Sequence, residues 1–214
     1  MEEKKLTTLS KTDYLKNPCR TSSIPFWKTK EISVPDTMKI VHDMDFVESF
    51  LQNYHDEPYF RIIHTLHNLT NFTLPEAFSF CSASVEEFTD HINHCYNALH
   101  ISSEELHRYT MHSVYCPDLW VTIRDNRSGI IVASGIGELD SDLGEGMLEW
   151  IQVSEDYRSN GLGSCIVLEL LRRMKGKVNF VTVSGSCNNP TNPEALYRKC
   201  GFVGNDIWHI LEKR

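Results

Sequence analysis

The stretch Ile151–Leu168, IQVSEDYRSNGLGSCIVL, limits what this chain can fold into more than any other. An apolar run at Ile151-Gln152-Val153 gives way to a polar connection and then to Gly161 and Gly163. Ile166, Leu168, Leu170, Leu171 and Met174 follow with the apolar content of an amphipathic helix. The pattern predicts a buried strand, a glycine turn and a helix in direct succession. Glycines at the turn remove Cβ atoms, so backbone N–H groups there are free to face an anion. The start of a helix adds donors without intrahelical partners and a partial positive charge. In this order the three parts make a cradle for a pyrophosphate. It is neither a dinucleotide fingerprint, which needs G-x-G-x-x-G, nor a P-loop, which needs Lys-Ser/Thr after its last glycine.

A second segment, Asn192-Pro193-Glu194-Ala195-Leu196-Tyr197-Arg198-Lys199-Cys200-Gly201-Phe202, has the punctuation of a short helix. Asn192 suits the N-cap, Pro193 the first helical position and Gly201 the position just past the end.

The spacing Arg158-x-x-Gly161-x-Gly163 resembles the Q/R-x-x-G-x-G/A signature of the GNAT acyltransferase superfamily. The Asn192 segment resembles the last helix of that superfamily, with its Asn, its Leu-Tyr pair and its Gly-Phe ending. The resemblance implies an α/β (α+β) GNAT fold. Its central mixed, mostly antiparallel sheet is splayed between the fourth and fifth core strands and flanked by helices. The match runs from about residue 58 to the end, so residues 58–214 are expected to be the GNAT domain. Residues 1–57, punctuated by Pro18, Pro25 and Pro35, read as an N-terminal extension docked through Phe26, Trp27, Ile40, Phe46 and Phe50.

Within this frame Met38–His42 reads as a short strand and Tyr59–Leu66 as the first core strand. Ser84 with Glu87 and Ser102 with Glu105 are capping boxes that open two helices. The first carries an apolar face of Val85, Phe88, Ile92, Cys95, Tyr96 and Leu99. Three strands follow at Leu119–Arg124, Ile130–Leu139 and Met147–Val153, then strands at Val178–Ser184 and Asp206–Leu211 around the Asn192 helix.

The bulk properties exclude some partners. A net charge of −8 argues against a nucleic-acid partner and is compatible with a cationic acceptor. No stretch has the apolar length of a membrane span, and Met1-Glu-Glu-Lys-Lys has no apolar region behind it, so no membrane association and a cytoplasmic location are expected. Seven cysteines without a framework of spacings read as free thiols in a reducing compartment. A homodimer is left open.

The resemblance implies acetyl-CoA as co-substrate and an amine as acceptor. The pantetheine arm would pair with the backbone of Ile151, Gln152 and Val153. The pyrophosphate would lie on backbone amides of Arg158, Ser159, Asn160, Gly161, Leu162, Gly163 and Ser164. Ser159 and Asn160 replace the glycine or basic residues often found before the first motif glycine. A charged amine must lose a proton before it attacks a thioester, and a carboxylate near the carbonyl is a suitable base. Period-two alternation places Glu145, Glu149, Ile151 and Val153 on one strand face, with Glu149 near the level of the acceptor. Glu149 is therefore the candidate base, although a strand-face glutamate is also a common paired or solvated charge. Asn192 would hold the cofactor or an ordered water. Tyr197 matches the family's tyrosine that protonates the leaving thiolate; otherwise it is a packed helix tyrosine.

The competing cluster is His91-Ile-Asn-His94-Cys95. His91 and Cys95 are four apart on a helix, as metal ligands sometimes are, but no second cluster has matching spacing, so no metal is expected. The rival to an acetyltransferase that transfers its acyl group directly to the amine is a GNAT-fold module that binds acyl-CoA without turnover, as a sensor. Only the enzyme releases free CoA when an acceptor is supplied. The family builds its acceptor pocket from the first helices and their connection, here residues 84–116, whose composition does not name an acceptor.

Overall fold

The computed structural model describes residues 9–96 and 99–214. Residues 1–8 of the expected extension, with the Met1–Lys5 stretch read for a leader, lie outside the described residues. In chain order the elements are α1 Lys11–Lys16, α2 Pro18–Thr21, β1 Met38–His42, β2 Tyr54–His64, β3 Phe78–Cys81, α3 Val85–Cys95 and α4 Ser103–Tyr109. They continue as β4 Trp120–Asp125, β5 Ile131–Asp140, β6 Glu145–Val153, α5 Leu162–Met174, β7 Phe180–Ser186, α6 Pro193–Lys199 and β8 Val203–Lys213. The chain divides into two compact units.

The unit formed by Thr65–Val181 with Lys199–Gly201 is built on an antiparallel meander, β3-β4-β5-β6. Its first strand is β3, not the Tyr59 run expected from sequence. β3 has only four residues, Phe-Ser-Phe-Cys, and is too short for its alternation to stand out from the surrounding loop. α5 covers one face of the meander. Gly135 and Gly137 let it approach: a Cβ at Gly135 would run into the Ile166 side chain, and one at Gly137 would lie 2.6 Å from Met174 Cε. On the other face α3, α4 and their surroundings bury Phe88, Ile92, Ile101 and Leu106 against Ile136 of β5.

Both capping boxes form. The Glu87 N–H donates to Ser84 Oγ at 3.2 Å and the Ser84 N–H donates to Glu87 Oε2 at 2.9 Å. The Ser102–Glu105 pair repeats this at 3.2 and 2.8 Å. These reciprocal bonds satisfy donors that a helix start otherwise leaves open. α3 is shorter than its apolar stripe suggested: it ends at Cys95, Tyr96 is extended, and Leu99 is exposed.

The other unit contains the described residues up to His64 with Thr182–Arg198 and Phe202–Arg214. In it β8 lies between β1 and β2, antiparallel to both, with Met38 opposite Glu212 and Tyr59 opposite Trp208. The Tyr59 run thus belongs to β2 and pairs with β8. β1 has the bounds expected from sequence. The residues before β1 dock by packing: Tyr14, Phe26 and Trp27 are buried, and Trp208 Nε1 donates to the Cys19 carbonyl at 2.8 Å. Arg61, 2% exposed, donates to Tyr14 Oη at 3.0 Å, Ser184 Oγ at 3.1 Å and Thr182 Oγ1 at 3.2 Å, the hydrogen bonding that a buried cation requires. Among the described residues no helix is long and apolar enough to cross a membrane. All seven cysteines are free thiols.

Candidate active site

The glycine turn has the form its sequence predicts. Beyond β6 the Ser154 N–H donates to the Val132 carbonyl at 2.9 Å, and a single tight turn, Glu155–Tyr157, leads to Arg158. Ser159 and Gly161 both take positive φ, at 66° and 78°. Gly161 is the N-cap of α5 and makes no side-chain cap bond. The first N–H groups of α5 are therefore not taken up by a capping side chain, as those of α3 and α4 are. A Cβ at Gly161 would meet nothing within 4 Å, so the ground before the helix is open. Asn160, one of the departures from the family pattern, stiffens the turn: its amide donates to the carbonyls of Tyr157 at 3.1 Å and Arg158 at 3.3 Å. The Tyr157 hydroxyl ties the turn to β4 by donating to Asp125 Oδ2 at 2.9 Å. Burial pushes the pKa of the Cys200 thiol up to about 11. An open helix start with a glycine cap fits a diphosphate.

β6 departs from simple alternation. Ser134 of β5 pairs with Gln152 and Ile136 with Glu149, so Trp150 and Ile151 together oppose Gly135. Trp150 has φ 50° at this bulge. The expected common face of Glu149, Ile151 and Val153 is therefore corrected. Glu149 and Gln152 share the face of their partners Ile136 and Ser134, toward α3 and α4. Trp150 packs on that same side, while Ile151 lies by Gly135 with Ile166 and Leu170 of α5. The inserted residue shifts every side chain before it by one place. A left-handed tryptophan costs on the order of 1–2 kcal/mol, and packing holds it. Trp150 Nε1 donates to Tyr109 Oη at 3.3 Å, and the Tyr96 ring meets it edge to face at 6.1 Å.

His91 is the polar centre of this region. Its side chain is a core group, 5% exposed. Nδ1 lies 2.7 Å from Ser134 Oγ and Nε2 lies 3.1 Å from Ser154 Oγ, hydroxyls that rotate to suit either neutral tautomer. The Gln152 amide also donates to Ser134 Oγ, and Cys95 Sγ lies 3.6 Å from His91 Nε2. The network joins α3 to both strands flanking the bulge. Burial, with a smaller contribution from His94, lowers the His91 pKa to about 4, against a partial restoring hydrogen bond to the Val132 carbonyl. The signal was present in the sequence: His91 follows Phe88 by three and so continues the buried stripe.

A pH dependence follows. His91 titrates lower in the folded chain than the ordinary 6.5, so the unfolded chain takes up the proton first as pH falls. Its contribution is full above 6.5, declines as pH drops and is gone below about 4, a loss of about 3 kcal/mol. Urea unfolding at pH 7 and pH 4 checks this. His91→Gln, neutral throughout, should lose about that much less over the interval, and an equal loss in both proteins excludes His91 as the cause.

Asn192 and Tyr197 belong to the other unit. Asn192, with φ 50°, caps α6 by accepting from the Ala195 N–H at 3.3 Å. Tyr197, 6% exposed, packs between Phe60 at 6.1 Å and Phe202 at 5.7 Å. Among the described residues no group of three or more His, Cys, Asp or Glu is arranged to hold a metal.

Comparison with known proteins bears on this geometry. Residues 117–204, from the turn before β4 to the start of β8, match the acetyltransferase (GNAT) domain family. This stretch is similar to a GNAT domain. A GCN5-related N-acetyltransferase from Sphaerobacter thermophilus has a TM-score of 0.67 and 16% identity to it over 88% of this chain and 64% of its own. A GCN5-related N-acetyltransferase from Kribbella flavida has a TM-score of 0.57 at 13% identity, over 82% of this chain and 67% of its own. The ribosomal-protein-S18-alanine N-acetyltransferase of Escherichia coli has a TM-score of 0.50 at 18% identity, over 63% of this chain and 91% of its own. At such identities the likeness is one of fold, and this chain spans somewhat less than two thirds of the Sphaerobacter protein. No curated protein matches by sequence. The matched stretch holds the bulged strand, the glycine turn and α5, and its α/β architecture is the GNAT fold.

Proposed function

We propose that this protein transfers an acetyl group from acetyl-CoA directly to an amine. The observation that carries the reading is the start of α5: a left-handed glycine cap without a capping side chain, directly after a bulged strand in a GNAT domain. In this reading the backbone amides from Arg158 to Ser164 hold the pyrophosphate and the backbone of Ile151, Gln152 and Val153 lines the pantetheine. Acetyl-CoA supplies the activated acyl group. Glu149 takes the proton of the incoming amine. Tyr197 gives one to the departing thiolate. Asn192 supports the α6 start that carries Tyr197.

The test is thermal. At acetyl-CoA near 100 times its Kd, the protein should gain about 2.7 kcal/mol of stability. Gly161→Asp adds a negative charge in the open ground and strains a residue held at φ 78°. It should abolish the gain while the unliganded protein still melts cooperatively. A wild type that no acyl-CoA stabilises removes the assignment. Stabilisation without thiol release for any amine would make the chain an acyl-CoA-binding module instead.

A further inference from the structure

The unit that holds β1, β2 and β8 contains a cavity of about 510 Å³, within the range of small-molecule sites. Its lining runs from Arg20 in α2 across Ile40 and His42 of β1 to Met44 and Asp45, with Trp208 of β8 beside them. Several of these groups are fixed before any ligand arrives. Trp208 Nε1 donates to the Cys19 carbonyl at 2.8 Å, and the His42 ring stands edge-on to the Trp208 ring at 5.2 Å. The Met44 N–H donates to His42 Nδ1 at 3.2 Å, so in the neutral imidazole the proton sits on Nε2, 3.0 Å from Asp206 Oδ1. His42 thereby caps the single turn Asp43–Asp45, and His209 Nε2 lies 3.2 Å from Asp43 Oδ1 of that turn. The turn that carries Met44 and Asp45 is held by two histidines.

Two opposite charges line this cavity without meeting. Arg20 and Asp45 are both exposed, and among the described residues neither makes an ion pair. The Arg20 guanidinium instead lies against the Met44 sulfur, a weak acceptor for a group with five donors. Met44 is 67% exposed, a flexible apolar side chain that can cover a ligand of irregular shape. A ligand with a carboxylate alone would be drawn to Arg20 and repelled by Asp45, and one with an ammonium alone would meet the reverse. A neutral apolar ligand would leave both charges to water. A molecule with both charges on one carbon and an apolar group beside them uses the whole lining.

We propose that this cavity binds a free α-amino acid with an apolar side chain. Arg20 takes its carboxylate, Asp45 its ammonium, and Trp208, Ile40 and Met44 its side chain. The site shares no residue with the transferase reading above and does not depend on it.

The experiment is calorimetric titration of the full chain, without acetyl-CoA, by L-phenylalanine, L-leucine and L-serine. N-acetyl-L-phenylalanine, which keeps only the carboxylate, and L-phenylalanine amide, which keeps only the ammonium, are titrated beside them. L-Phenylalanine or L-leucine should bind at least about tenfold more tightly than L-serine, the scale on which apolar contacts discriminate. L-Phenylalanine should also exceed each of its two derivatives by at least about tenfold, the scale of one charge-assisted hydrogen bond. The variants divide that preference between the two charges. In Asp45→Asn the margin over N-acetyl-L-phenylalanine should shrink to about threefold or less, and in Arg20→Gln the margin over the amide should do so. Both residues are exposed, and a cooperative melt of each variant shows that it has folded. Where one variant does not fold, the other tests its own half of the charge pair. No binding of L-phenylalanine or L-leucine overturns the proposal, and so does L-serine or either derivative binding as tightly as L-phenylalanine. Margins unchanged in a folded variant overturn it as well.

Discussion

Tyr197→Phe is expected to lower kcat by about 10²–10⁴, the usual cost of losing a general acid or base. The substitution is close to surgical. The ring stays between Phe60 and Phe202, both within about the 4.5–7 Å range of aromatic contacts, and only the hydroxyl leaves a side chain that is 6% exposed. The thiolate of CoA would then depart without a proton from this residue. If the phenol acts on the leaving group and not on cofactor binding, the acetyl-CoA melting shift should survive almost unchanged. Steady-state kinetics with a verified acceptor, beside thermal melts with and without acetyl-CoA, separate the cases. A variant that turns over at the wild-type rate would make Tyr197 a packing residue of α6. A variant that loses both rate and melting shift would point to a disturbed fold.

Glu149→Gln should cost a similar factor, about 10²–10⁴, through the opposite partner. A base works in its deprotonated form, so in this reading wild-type activity should fall on the acid side of its pH profile. The amide keeps the shape and cannot accept the amine's proton, so the variant should be slow and its profile should lack that acidic limb. Acceptors offered above their own pKa, already deprotonated, should recover part of the rate. An unchanged acidic limb in Glu149→Gln would assign it to another group or to water. The bulge makes this test informative, since Glu149 stands beside Trp150 on the α3–α4 side rather than in line with Ile151 and Val153.

What could be read from the sequence was what neighbouring residues decide among themselves. The capping boxes at Ser84 and Ser102 are closed by residues three apart, and both formed. The turn from Arg158 into α5 was legible because glycine at positive φ leaves a mark at single positions, and so was β1. What tertiary packing decides was not. Nothing local announces that Trp150 goes left-handed, because the insertion is held by Tyr96 and Tyr109 from other elements. With the bulge unseen, alternation put Glu149 on the wrong face. β3 was too short to show a period, and the strand at Tyr59 was recognised as a strand but not paired with β8, because pairing partners far apart in sequence leave no local trace. His91 stands outside the apolar face read for α3 because it is polar, although its spacing from Phe88 marks it as buried.

The position of β8 has a consequence for how the chain comes into being. Every strand of the meander β3-β4-β5-β6 lies next in sequence to the one it pairs with, so that part can close while synthesis continues. β1 and β2 are made earlier, yet both wait for the same distant neighbour, β8, which must enter between them. Until residues 203–213 emerge from the ribosome, two strands instead of one present open edges to other nascent chains. A stalled or clipped polypeptide that stops short of β8 therefore loses more than a terminal strand: it loses the wedge that keeps β1 and β2 from pairing with something else.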